Sequence, residues 1–345
     1  MLSEGSGGKT ASLVDAQRFM DEGKWPDAMW ALDSLIASLD QKDPEKVNAL
    51  IKAHRMRGLA FERMSKFKES AGNYMKAMEL SKDIGDQRSR ALCLEGLGHV
   101  HRDMGDYKMA FEFFNESLKL AREMGDRPLE SSALIGLANI HNCEGDLEEA
   151  VIKFQDAIDI LAPLGPSAQL ARAYNNIGDS LIKLGRLDEA IECLEGAVDV
   201  GEKIGNLVAQ GFGRTFLAIC YARKGNLEQA MVFIDKAIGD LGTAHDKMGF
   251  IQAIATLGMI HGKAKNYDMA LSEIEKADEM AVKSNLDGLR GEVLIEKARV
   301  LAAMGDIERA WVVYQEAIEL YRRVGNDSGV SDLEIEITRL HRRGS

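Results

Sequence analysis

Short polar turns, each closing on a small residue, punctuate the chain at a fixed interval. "GDYKMA" at 105–110, "GDLEEA" at 145–150, "GRLDEA" at 185–190, "GNLEQA" at 225–230, "KNYDMA" at 265–270 and "GDIERA" at 305–310 each begin 40 residues after the one before. "SKFKES" at 65–70 extends the series one step upstream, and "GKWPDA" at 23–28 extends it again at a spacing of 42. A second mark runs in phase: Gly85, Gly125, Gly165, Gly205 and Gly325, with His245 and Asn285 in the two remaining slots. Gly and Asn accept the left-handed conformation that closes a helix. His245 departs from that rule, so "GDLGTAHDK" is expected to form an irregular connection.

Between the marks the apolar spacing is helical. Leu129, Leu134, Leu137 and Ile140 recur at steps of three to five, as do Leu147, Ala150, Val151, Phe154, Ala157, Ile158 and Leu161. Each unit therefore reads as helix A, a turn, helix B and a turn. One hairpin cannot bury its apolar face by itself, but stacked hairpins can, so the pattern predicts an all-α solenoid of about eight hairpins. The units fall at about 10–46, 47–86, 87–126, 127–166, 167–206, 207–246, 247–286 and 287–326, after a flexible N-terminus over 1–9. "SGVSDLEIEITRLHRR" predicts a C-terminal capping helix within 327–345, in which Glu334, Glu336 and Arg339 break up an apolar outer face.

The residues inside each unit resemble the tetratricopeptide repeat family. The matching positions are Leu94, Leu97, Gly98, His101, Ala110, Phe114 and Ser117 in the third unit. They are Leu134, Leu137, Ala138, His141, Ala150, Phe154 and Ala157 in the fourth, and Tyr174, Ile177, Gly178, Leu181, Ala190, Leu194 and Ala197 in the fifth. Small residues in this pattern let helices A and B approach closely. Ser12 and Asp15 in the first unit, and Arg57 and Lys297 at Leu positions, depart from it and predict less regular hairpins. The 40-residue period is similar to that of the kinesin light chains and of adaptors that bind G-protein-regulator motifs. Arg172, Asn176, Ile177, Gly178 and Asp179 follow the order found in those adaptors. The resemblance implies a right-handed superhelix with a peptide groove.

The family turns positions 2, 5, 6, 9 and 13 of helix A toward the concave surface. In unit five these are Arg172, Asn175, Asn176, Asp179 and Lys183; in unit four, Asn139 and Cys143 with Asn142 beside them. Unit three places Glu95, His99 and Asp103 there with Arg102 at the edge, and unit two places Lys52, Arg55 and Arg63. Unit six turns apolar with Phe212, Thr215, Phe216 and Ile219; unit seven offers Gln252, Thr256 and Met259; unit eight holds Glu292, Glu296 and Arg299. A side-chain amide both donates and accepts, so Asn139, Asn175 and Asn176 read as groups that pair with a ligand backbone. Phe212, Phe216, Ile219 and Met259 read as an apolar pocket, and Arg55 and Arg172 as partners for acidic ligand residues. Three competing readings stay open: Asn175 as a bond between neighbouring helices, the Phe212–Phe216 pair as inter-hairpin core, and the Arg and Lys side chains of the stripe as simply solvated. The predicted groove set is Arg55, His99, Arg102, Asn139, Asn142, Arg172, Asn175, Asn176, Asp179, Phe212, Phe216 and Met259.

Charge narrows the partners. Lys and Arg total 43 against 55 acids, a net charge of −12, which disfavours nucleic acid and anionic membrane surfaces. The four isolated cysteines, with no CxxC pair, read as reduced thiols in the cytoplasm. The N-terminus shows no signal-peptide pattern, and no apolar run is long enough to span a membrane. "GSGGKT" at 5–10 fails the spacing of a phosphate-binding loop. His101, His141 and His261 recur at one core position and read as packing, and His141 with Cys143 lacks further ligands for zinc. The expectation is a non-enzymatic, monomeric adaptor without cofactor or metal that binds a peptide in its concave groove. The alternatives are a sensor for a small molecule or signalling peptide that regulates a partner effector, and a self-assembling scaffold.

Overall fold

The structure, a computed structural model, describes residues 12–39 and 43–344; the flexible segment expected over 1–9 lies outside them. All-α hairpins follow one another along the chain. The A helices are α1 (Leu13–Asp21), α3 (Pro44–Arg63), α5 (Gln87–Asp103), α7 (Arg127–Glu144), α9 (Ala168–Lys183), α11 (Leu207–Arg223), α13 (Lys247–Lys263) and α15 (Asp287–Ala303). The B helices are α2 (Trp25–Ser38), α4 (Phe67–Asp83), α6 (Tyr107–Met124), α8 (Leu147–Leu161), α10 (Leu187–Lys203), α12 (Leu227–Thr243), α14 (Tyr267–Lys283) and α16 (Ile307–Arg323), and α17 (Asp327–Gly344) closes the series. Two compact units form, one reaching to Ile140 and one beginning at His141.

The turn inside the third hairpin is built by two residues. At 104–106 the chain passes through left-handed Gly105 (φ 78), whose N–H donates to the Arg102 carbonyl at 2.9 Å, while the Asp106 N–H reaches the His101 carbonyl at 2.8 Å. The Asp106 carboxylate then accepts from the Met109 N–H and starts helix B. Ser65, His245, Lys265 and Asn285 adopt the same left-handed backbone without being glycine. The connection at His245 (φ 54) is therefore regular, contrary to the sequence expectation: α12 ends at Thr243, and Asp246 caps α13 through the Gly249 N–H at 2.7 Å.

The irregular connection is the one after α8. That helix stops at Leu161, a 3-10 turn follows over Ala162–Leu164, and Gly165 takes φ 98, ψ 176 instead of the closing conformation. Two prolines account for this. Pro163 has no N–H to donate, and Pro166 forces the residue before it out of the helical region.

The remaining departures from the family pattern are absorbed without disturbing the hairpins. Ser12 and Asp15 form a capping box at the start of α1. Arg57 pairs with Asp33 at 2.9 Å and Lys297 with Glu275 at 3.3 Å, each charge leaving the core along its aliphatic stem.

In the first unit, fully buried Phe114 on α6 lies between α5 and α7, and glycines make room for it. A Cβ at Gly98 would stand 2.8 Å from the ring, and one at Gly136 only 2.4 Å away. In the second unit, α9, α11, α13 and α15 pack side by side in series, whereas the B helices make no comparable contact with one another. The A helices therefore line the inner, curved face of that unit. Leu333 and Ile337 of α17 join Tyr314 and Ile318 in the last core cluster, and Glu334 stays exposed. Among the described residues there is no strand and no helix long and apolar enough to cross a membrane.

Candidate peptide-binding face

The A-helix stripe is narrower than the sequence reading proposed. Asn175 is 6% exposed. Its Nδ2 donates to the Ala209 carbonyl of α11 at 3.1 Å, and a Cβ on Gly213 would stand 3.1 Å from its Oδ1. Arg55 shares its phase. The Arg55 Nε is buried without a partner among the described residues, and its charge partly offsets the burial that pushes the Cys93 thiol up to about 12. The same phase holds buried Ile135, Ala255 and Ile295, so it is where successive A helices touch. Asn175 is thus an inter-helix bridge, and Arg55 is half-buried at the same phase.

In the first unit, His99 meets the Phe114 ring edge-on with centroids 5.0 Å apart, and Arg102 Nη1 lies 3.3 Å from His99 Nδ1. Arg102 also binds Asp103 at 2.6 Å. His99 and Arg102 are therefore braced by their own neighbours. Asn139 lies half-buried at the phase of His99 on α7.

In the second unit, Asn142 is half-buried, with an Oδ1 that has no hydrogen-bond partner among the described residues. On α9, Arg172 is exposed, Asn176 is half-buried, and Asp179 pairs with Lys183 at 2.8 Å. On α11 and α13, Phe212 and Met259 pack against the core shared by these helices, and a Cβ on Gly249 would meet the Phe212 ring at 3.0 Å. Phe216 is half-buried on the stripe between them. The apolar pocket read from the sequence is thus partly inter-hairpin core, with Phe216 as its most groove-like member.

Glu292 and Lys183 lie on the predicted stripe but outside the twelve residues singled out. Water reaches Glu292, yet the protein around this inner position pushes its carboxyl up to about 7. The Asp179 charge adds to that, Lys183 opposes it, and Glu296 adds again. Charges on α9 thus act on α15, three A helices further on, as a curved inner face requires. Arg299 is committed elsewhere: it grips Glu336 of α17 with two bonds of 2.8 Å and pairs with Glu296 at 2.6 Å. The described residues contain no cluster of His, Cys, Asp or Glu fit to hold a metal ion.

This face offers an amide, a guanidinium, an aromatic ring and carboxylates in sequence from α9 to α15, a set suited to holding an extended chain. Comparison with known proteins agrees with the fold. Residues 49–123, 91–162 and 169–238, together over half of the chain, match the tetratricopeptide repeat model, and residues 255–342 match that of anaphase-promoting complex subunit 5. No curated protein matches in sequence. The solved Rap protein complexed with competence and sporulation factor is similar, with a TM-score of 0.72 at 15% identity over 89% of this chain and 83% of its own. The apo form of RapI gives 0.68 at 17% identity, over 79% of this chain and 98% of its own. The Rap conjugation gene regulator of the plasmid pLS20, in complex with the Phr* peptide, gives 0.66 at 12% identity, over 94% and 88%. On the repeat match, the chain belongs to the tetratricopeptide repeat family.

Proposed function

We propose that this chain is a non-catalytic adaptor that binds a peptide segment on the A-helix face of its second unit. The observation that carries the reading is the stripe of Arg172, Asn176 and Asp179 on α9 beside half-buried Phe216 on α11. The Asn176 amide pairs with a backbone N–H and C=O, Arg172 orients a ligand carboxylate, and Phe216 receives an apolar side chain. At the α15 end, Glu292 and Asp179 favour a cationic ligand group, so the preferred peptide carries an acid toward Arg172 and a base toward Glu292. Two of the similar solved proteins are complexes, one with competence and sporulation factor and one with the Phr* peptide, which supports the same use of the fold here. Four cysteines outside any disulfide suit the cytoplasm as the working compartment.

A random-peptide display selection tests this. Selected peptides are expected to lose about tenfold to a hundredfold in affinity for an Arg172→Ala/Asn176→Ala variant whose unfolding is unchanged. Equal affinity for both forms would remove α9 from the site. A peptide-responsive regulator of a partner effector is the second reading, favoured because one similar protein is a conjugation gene regulator solved with a peptide.

A further inference from the structure

Away from the A-helix face, α8 and α10 flank a groove of about 650 Å³ floored by α9. Its origin is visible in the repeat. At the position of Cys193, the sixth and third hairpins carry Phe233 and Phe113. Phe233 stacks on Tyr221 with centroids 5.4 Å apart, and Phe113 packs with Tyr74, Leu97 and Val100, filling the corresponding wedge from within. In the fifth hairpin the partners shrink to Cys193 and Leu181, and both line the open groove.

A second substitution opens it further. Gly196 occupies a position that is Lys76, Glu116, Asp156, Lys236, Lys276 and Glu316 in the other B helices. The Tyr174 ring lies over Gly196, about as close as ordinary contact allows, 3.4 Å from where a Cβ would be. The Tyr174 hydroxyl makes no hydrogen bond among the described residues. Ile152 on α8 forms an apolar lip that is 51% exposed.

The rim is acidic. Arg186 holds Glu148 at 3.0 Å and Glu189 at 2.5 Å, which leaves one carboxylate of that trio uncompensated. Glu192 adds another, with no ion pair among the described residues.

We propose that this wedge is a docking site for a protein partner that inserts a phenylalanine-sized side chain flanked by lysine or arginine. The inserted ring takes the place that Phe113 and Phe233 take in their own hairpins, and the basic flanks meet Glu192 and the Arg186-bridged carboxylates. The volume falls in the range of formed ligand sites, ~300–1,000 Å³. The site shares no residue with the proposed peptide face, so either can fail without the other.

Two fluorescein-labelled peptides, KKFLKK and EEFLEE, serve as probes in anisotropy titrations. KKFLKK is expected to bind the wild-type chain at least about tenfold more tightly than EEFLEE. Cys193→Phe/Gly196→Lys, which fills the wedge as Phe233 and Lys236 do in the sixth hairpin, should weaken KKFLKK at least about tenfold and melt no lower than wild type. Ile152→Lys, which places a repelling charge on the lip without touching the core, should weaken it similarly, whereas Arg172→Ala/Asn176→Ala should leave it unchanged. Equal binding to the Ile152→Lys form, no binding of KKFLKK to wild type, or a large loss of melting temperature in the filled variant would each overturn the proposal.

Discussion

Gly136→Ala and Gly72→Ala are the same substitution in the middle of a helix, and the structure gives them opposite signs. Alanine is favoured over glycine by about 1 kcal/mol in a helix interior. At Gly72 a new Cβ meets nothing within 4 Å, so the full gain of roughly 0.5–1 kcal/mol should appear. At Gly136 the Cβ would stand 2.4 Å from Phe114 Cδ1 and Cε1. That is over 1 Å inside the ~3.5 Å optimum for carbon atoms. The ring has little room to retreat, because it is fully buried and Gly98 on α5 also packs closely against it. Overpacking of this kind costs about 3 kcal/mol at the upper end of its usual range, leaving a net loss of about 2 kcal/mol after the helix gain. Both sites lie in the first unit, so urea unfolding followed by circular dichroism reads both against one transition. Phe114→Leu in the Gly136→Ala background should restore at least about 1 kcal/mol by relieving the overlap. If Gly136→Ala raised the midpoint as Gly72→Ala does, α5, α6 and α7 would not be packed at glycine distance, and the account of the core would be wrong.

Other expectations follow from single residues. Lys265, at φ 62, should gain about 0.5–1 kcal/mol on replacement by Gly, read as a higher urea midpoint, because an L side chain is strained in the left-handed region. The Glu292 carboxyl rises from 4.5 to about 7 in the folded chain, so its ionised form is disfavoured there. Its contribution to stability therefore falls as pH rises from about 4.5 to about 7 and is flat above. Screened by the water that reaches it, the effect is roughly 1 kcal/mol, and Glu292→Gln should abolish that part of the pH dependence in parallel denaturations. Asn175→Ala removes one bond to the Ala209 carbonyl and should cost about 1 kcal/mol without changing affinity for any selected peptide.

The hairpin period is legible because the turn is local chemistry: a residue in the left-handed conformation, followed in many of the turns by a capping Asp or Asn. His245 shows that the rest of the turn imposes the backbone even where the residue does not favour it. The break after α8 was written in Pro163 and Pro166, but the in-phase Gly165 hid it. The stripe was legible at Arg172, Asn176, Asp179 and Lys183, spaced four, three and four apart. At Asn175 and Arg55 the stripe runs into a phase that is apolar elsewhere, at Ile135, Ala255 and Ile295, which favours the inter-helix alternative for Asn175. The nearness of α15 to α9 depends on packing angles accumulated over three hairpins, which no local pattern encodes. The α8–α10 groove, in contrast, stands in the aligned repeats as Gly196, where the other B helices from α4 onward carry a charged residue.

Photo-crosslinking with a selected peptide tests the central claim most directly. A benzoylphenylalanine placed at position 176, on the inner A-helix face, should capture the peptide, and one placed at exposed position 232 on α12 should not. Capture from position 232 with none from position 176 would contradict peptide binding on the A-helix face.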